Sequence, residues 1–150
     1  MAIDQKLVQR KLALLHEFLR QLENMDFSQE DLLHQVDIQH LVLFRLQQAI
    51  ETAIDIATQL IIGLDLPRQE TARESFLILA KERVISQESA EKMAAAVGFR
   101  NLVVHQYADI KFDLVYRDYR DDIASLRKFA NQIYGFLQLD QEQSGQREQE

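Results

Sequence analysis

DIQHLVLFRLQQAIETAIDIATQLII, Asp37 to Ile62, is the longest stretch in which apolar residues recur at helical spacing without interruption. Leu43, Ile50, Ile54, Ala57 and Ile61 fall on one line, with Leu46, Ala49, Ala53, Ile56 and Leu60 beside it. A face this broad packs on several neighbours at once, so the helix is expected at the centre of a helical domain. Its polar side carries Gln48, Glu51, Thr52, Asp55 and Gln59, and a spacing of four puts Glu51 above Asp55. Paired carboxylates can serve metal or acid–base work, but the EXXH pattern of helical di-metal sites is missing. A solvated edge, or a counter-charge for a buried arginine, is the expected role, and no metal site is expected. Arg45, near the start of the apolar run, is expected to hold a carboxylate or to extend an anion site, with Asp55 available as an ion-pair partner.

Outward from this helix the pattern stays helical. Toward the N-terminus, Val8, Leu12, Leu15, Leu19 and Leu22 mark a helix from Asp4 to about Asn24, its stripe widened by Leu7, Leu14 and Phe18. Ser28, with Asp31 three residues on, predicts a capping box before a short helical turn. Toward the C-terminus, Gly63 predicts a stop and Pro67 a start, for a helix over about Arg68 to Lys81 that buries Ala72, Phe76 and Leu79. Ser86 and Glu88 open the next helix, ADIKFD breaks the pattern after Tyr107, and a last helix is expected from about Leu114 to Leu139. Its stripe is Tyr116, Tyr119, Ile123, Leu126, Ala130, Ile133 and Leu137. The expected fold is all-α, an antiparallel bundle of about five helices occupying residues 1–139. Residues 140–150 contain no apolar residue and read as a disordered polar tail.

Composition excludes several classes of chemistry. The 150 residues suit one domain, and 47% apolar with 27% charged residues is a globular balance. The absence of cysteine rules out disulfides, thiolate zinc sites and a cysteine nucleophile. The opening MAIDQKLVQRK has no unbroken apolar region and no apolar run reaches bilayer length, so a cytoplasmic location without membrane partners is expected. A net charge of −7 argues against a broad nucleic-acid platform, and no DNA partner is expected. It leaves room for a small cleft where a few arginines face one phosphate.

The chemistry-bearing stretch is GFRNLVVHQY, Gly98 to Tyr107, which sets Arg100, Asn101, His105 and Tyr107 into an apolar segment that should be heavily buried. An unpaired ion there is costly, so Arg100 must find a carboxylate, face a wet groove or sit at a subunit seam. On a helix Arg100 and Tyr107 share a face, whereas His105, five residues from Arg100, lies well round the cylinder. Either the helix ends near Val104 and the chain turns His105 back toward Arg100, or a second copy completes the set across a two-fold axis. Arginine and histidine without a thiol, metal cluster or serine triad suit phosphoryl chemistry on RNA. Imidazole can take the proton of a 2′-hydroxyl or give one to a 5′-oxygen, while guanidinium neutralises charge on the phosphoryl oxygens. Asn101 can orient the histidine or bind phosphate, and Tyr107 can position substrate. His16, His34 and His40 read as surface residues, and a metal site from His34, His40 and Asp37 lacks a fourth ligand.

Arg100, Asn101, His105 and Tyr107 together form R-N-X3-H-X-Y, and in this form the chain resembles the HepT-like toxins, which carry the RX4HXY version of the HEPN ribonuclease signature. The resemblance runs from about Asp37 to Leu139 and includes Arg45, AIETAIDIATQLI and RESFLILAKERVIS. It implies a homodimeric bundle whose motifs face a shared cleft, and a metal-independent endoribonuclease acting on cellular RNA without a cofactor. Arg100 and His105 would be the catalytic pair, supported by Asn101. It also implies a partner antitoxin, a minimal nucleotidyltransferase that silences the toxin by adding AMP to Tyr107. The alternative is a non-catalytic dimerisation module that holds a nucleotidyltransferase or binds a nucleotide in the dimer cleft.

Overall fold

A computed structural model describes residues 2–149, so Met1 and Glu150 lie outside the described residues, as do the side chains of 147–149. The order is α1 (Gln5–Glu23), α2 (Gln29–His34), α3 (Val36–Gly63), α4 (Ala72–Lys81), α5 (Gln87–His105), a 3-10 turn (Tyr107–Asp109) and α6 (Phe112–Gln149), with no strand among the described residues. The expected all-α bundle is what forms. α3 is its axis, touching all five other helices, and Leu46, Ala49, Ala53, Ile56, Ala57 and Leu60 are wholly buried along it. The breadth of its apolar face has this consequence: no single neighbour could cover it.

Local signals place most boundaries. Asp4 accepts the Leu7 N–H at 3.1 Å to start α1, and Ser28 and Asp31 exchange the reciprocal bonds of a capping box at the start of α2. The α1 stripe is narrower than its spacing suggests, since Leu14 is exposed. α3 ends one residue beyond the expected stop. Its last turn closes through Asp65, whose positive φ of 59° lets Asp65 N–H reach Ile62 C=O and Leu66 N–H reach Ile61 C=O. Gly63 serves a different purpose, since a Cβ there would lie 2.7 Å from the Ile3 Cα where the N-terminal segment crosses.

One boundary needs correction. α4 begins at Ala72, not Arg68, because Thr71 accepts the Glu74 N–H and the Glu74 carboxylate accepts the Glu70 N–H, which outcompetes the start signal of Pro67. The polar segment from Asp140 lies within α6, which is helical to Gln149. Its Gln, Glu and Arg residues favour helix while offering nothing to bury, and Gln5 donates to Asp140 at 3.0 Å. α6 lies against α1, α2, α3 and α5, with Phe129 edge-on to Phe76 of α4 in the core.

Candidate functional site

Ser86 starts α5 by accepting the Ser89 N–H, and Ser89, Ala90, Met93 and Val97 anchor the helix in the core. Beyond Val97 it emerges. Arg100 is partly buried, Asn101 and His105 are exposed, and Val104 keeps 47% of its surface open. The segment is therefore less buried than its composition suggests, because none of the described residues closes over its outer side.

Arg100 finds a carboxylate: its Nη1 donates to Glu51 Oε1 on α3 at 3.0 Å, and its Nε is buried without a partner. Glu51 is thus the counter-charge of a partly buried arginine. Asp55, one turn along, takes Lys11 of α1 at 3.6 Å. Arg45 does not join the motif, for its Nη1 donates to the Gln21 carbonyl in the last turn of α1, where a cation also meets the negative end of that helix. Neither Arg45 nor Asp55 is hydrogen-bonded or ion-paired to Arg100, Asn101, His105 or Tyr107.

The helix runs through His105, so the chain does not turn this residue back toward Arg100. The two stay on separate faces, about 140° apart on a regular helix. His105 makes no hydrogen bond or ion pair with any described residue, and Asn101 sits one turn before it on the same side. The backbone then enters the 3-10 turn, where Tyr107, 42% exposed, sets its ring edge-on to His40 of α3 with centroids 5.8 Å apart.

Glu51–Arg100 and His40–Tyr107 fasten the end of α5 and the 3-10 turn after it along the His40-to-Glu51 stretch of α3. Between those fastenings lie Phe44, 56% exposed and on the same stripe of α3 as His40 and Glu51, and Val104, one turn past Arg100. With Leu41 and Tyr107 they form an uncovered apolar patch bordered by Arg100, Asn101 and His105. Three surface hollows have other linings; that of about 610 Å³, between α5 and α6, is floored by Phe99, Leu102, Ile110 and Leu114. Among the described residues, then, the motif residues border exposed apolar side chains and line none of these three hollows.

Sequence reasoning missed His40 as the ring partner of Tyr107 and the exposure of Leu41, Phe44 and Val104. The available signal was their position: Phe44 and Leu41 lie off the line through Leu43, Ile50 and Ala57, although periodicity cannot say what covers such residues. No group of three His, Asp or Glu side chains suited to a metal ion occurs among the described residues. No described helix is long and apolar enough to cross a membrane.

Residues 8–133 match the family described as "Ribonuclease HepT-like". An mRNA nuclease HepT of Shewanella oneidensis is 24% identical over 123 residues, covering 82% of this chain and 92% of that protein. A tRNA nuclease HepT of Aphanizomenon flos-aquae is 28% identical over 137 residues, covering 90% of this chain and 92% of that one. The solved structure of a tri-AMPylated Shewanella oneidensis HEPN toxin, in complex with an MNT antitoxin, superposes with a TM-score of 0.80 at 23% identity, covering 85% of this chain and 96% of its own. The bundle built around α3 is thus the fold of that toxin, and with a match spanning most of its length the chain belongs to the HepT-like ribonuclease family.

Proposed function

We propose that this ribonuclease-family chain is the toxin of a toxin–antitoxin pair, a metal-independent endoribonuclease that cleaves cellular RNA in the cytoplasm as a homodimer. The uncovered patch carries the reading. Leu41, Phe44, Val104 and Tyr107 stay exposed in one chain while the motif's polar residues rim them, as expected of a two-fold seam with a reaction site along it. Because Arg100 and His105 lie on different faces of α5, each site is completed in trans, by Arg100 of one chain and the histidine of its copy.

The chemistry follows from these groups. His105 takes the proton of a ribose 2′-hydroxyl, the 2′-oxygen attacks phosphorus, and the P–O5′ bond breaks. The imidazolium so formed returns its proton to the departing 5′-oxygen, leaving a 2′,3′-cyclic phosphate. Arg100 stabilises charge on the non-bridging oxygens, with its free Nη2 as donor, and Asn101 steadies the imidazole from one turn away. The relatives named for mRNA and tRNA cleavage support RNA as substrate.

Silencing acts at Tyr107, through a minimal nucleotidyltransferase. The phenolic oxygen attacks the α-phosphorus of ATP, pyrophosphate leaves, the phenolic proton passes to solvent, and AMP remains on the ring. Phosphate and adenine beside Arg100 would occupy the place of the substrate phosphate and cancel the guanidinium's charge. The AMPylated state of the Shewanella toxin with its MNT antitoxin supports this, as does the exposure of Tyr107 here.

The test is cleavage of total cellular RNA by purified protein in EDTA, with Arg100→Ala and His105→Ala. Each substitution should lower the rate by about 10²- to 10⁴-fold. Variants as active as the parent would remove the motif from the chemistry. A second reading, a non-catalytic dimerisation module that holds the nucleotidyltransferase or a nucleotide, draws on the prior neutralisation of Arg100 by Glu51. It requires intact RNA alongside a stable complex.

A further inference from the structure

About half of the described lysines and arginines are held by a partner, and the rest, Arg73 among them, are free to meet a phosphate. Arg20, Arg100, Arg117 and Arg127 are each held by a carboxylate, Arg45 is held by a carbonyl, and Arg120 lies over the rings of Tyr116 and Tyr119. Arg73, in the first turn of α4, is exposed and makes no hydrogen bond or ion pair with any described residue. Its guanidinium nevertheless has a defined seat. It lies across α5 at Gly98, so close that a Cβ on that glycine would be 2.5 Å from Nη2 and 3.5 Å from Cζ.

Gly98 is seven residues before His105 in one continuous helix. On a regular helix such residues differ by about 20° around the axis and about 10.5 Å along it. The Arg73 charge therefore sits on the stripe of α5 that carries Asn101 and His105, two turns before the imidazole. The ion-paired Arg100 points to the other side, toward α3. That spacing is too long for Arg73 to reach the phosphate undergoing reaction, and suits a phosphate further along the same strand.

We propose that Arg73, seated on Gly98, binds a backbone phosphate of single-stranded RNA flanking the cleavage position, and so sets substrate affinity without entering the chemical step. This rests on the ribonuclease reading above. Such a contact is electrostatic and indifferent to base identity, so its loss weakens binding and reduces its dependence on salt.

The experiment uses the full-length protein and a fluorescein-labelled oligoribonucleotide of mixed sequence, measuring cleavage kinetics and, in a His105→Ala background, the dissociation constant at several salt concentrations. Arg73→Ala should raise KM about tenfold with kcat within twofold, and lower the slope of log Kd against log salt by about 0.7. Arg73→Lys should recover most of the affinity. Gly98→Ala should act in the same direction, because its methyl displaces the guanidinium, a flexible side-chain end, while the helix remains intact. A tether between α4 and α5 without RNA contact would instead lower the thermal midpoint and leave the salt slope unchanged. Unchanged KM and slope in Arg73→Ala, with His105→Ala inactive, would overturn the role of Arg73 alone. His105→Ala cleaving like the parent would instead strike at the ribonuclease reading, and RNA bound equally by the Arg73 variants would overturn the present one as well.

Discussion

Phe44→Ala weighs the seam against the fold. In the single chain Phe44 keeps 56% of its surface exposed, so about half of the roughly 1.5–3 kcal/mol that full burial of such a side chain is worth remains to be gained, about 1–1.5 kcal/mol per copy. In the proposed dimer a two-fold axis would repeat every contact, so truncation should cost it about 2–3 kcal/mol, a rise of roughly 30- to 150-fold in its dissociation constant. The monomer should hardly notice, because the ring fills no internal space. Sedimentation equilibrium over a wide concentration range gives the dissociation constant, and urea unfolding at concentrations where the chain is monomeric gives the fold's own stability. The first should move as stated and the second stay within about 0.5 kcal/mol. RNA cleavage per chain should then depend on concentration, falling on dilution earlier for the variant than for the parent. Tyr134→Ala, which removes an equally exposed ring on α6 outside the patch, should change neither quantity. A Phe44→Ala protein that dimerises as tightly as its parent, or that cleaves RNA at full rate as a monomer, would refute the reasoning.

Two further perturbations probe the groups around the site and the base of α6. Burial, with Asp118 and Asp121 adding to it, pushes the Asp122 carboxyl up to about 6 from its ordinary 3.8, so the folded chain binds the extra proton more tightly than the unfolded one. That contribution is present below about pH 4 and lost as pH rises through about 6, so Asp122→Asn should add about 1 kcal/mol at pH 7.5, allowing for solvent screening, and nothing at pH 4. A thermal-midpoint gain independent of pH would remove burial of the charge as its cause. Glu51→Gln keeps an acceptor for Arg100 but removes the charge; it should loosen the fold by about 0.5–1 kcal/mol and tighten RNA binding severalfold, because the guanidinium is no longer neutralised. Weaker RNA binding by this variant would mean that Glu51 aims Arg100 more than it competes for it.

The bundle was legible because its helices are long and their apolar residues recur faithfully, so that Asp37 to Ile62 anticipates α3 within a residue at either end. Boundaries failed where two local signals compete: Pro67 and Thr71 both announce a helix, and the hydrogen bonds of Thr71 and Glu74 decide it. The candidate site was legible as a set of residues and not as a geometry. Helical spacing relates Glu51 to Asp55 on the same helix, but it is silent about Arg100, 49 residues away, which turns out to be the group Glu51 neutralises. Likewise Phe44 and Val104 are apolar like their neighbours, and only the packed chain shows that about half of each stays open. At Asp140 to Gln149 two signals act separately, since polarity governs what a segment can bury, and backbone propensity governs whether it stays helical.

Mixing two dead variants tests most directly whether the site is shared between chains. Arg100→Ala and His105→Ala proteins, inactive alone, are unfolded and refolded together in equal amounts so that protomers exchange, and mass spectrometry counts the mixed dimers. If guanidinium and imidazole come from different chains, each mixed dimer holds one intact site, and with half of the dimers mixed about a quarter of the parental RNA cleavage should return. Mixed dimers formed in that proportion with no activity restored would contradict the account.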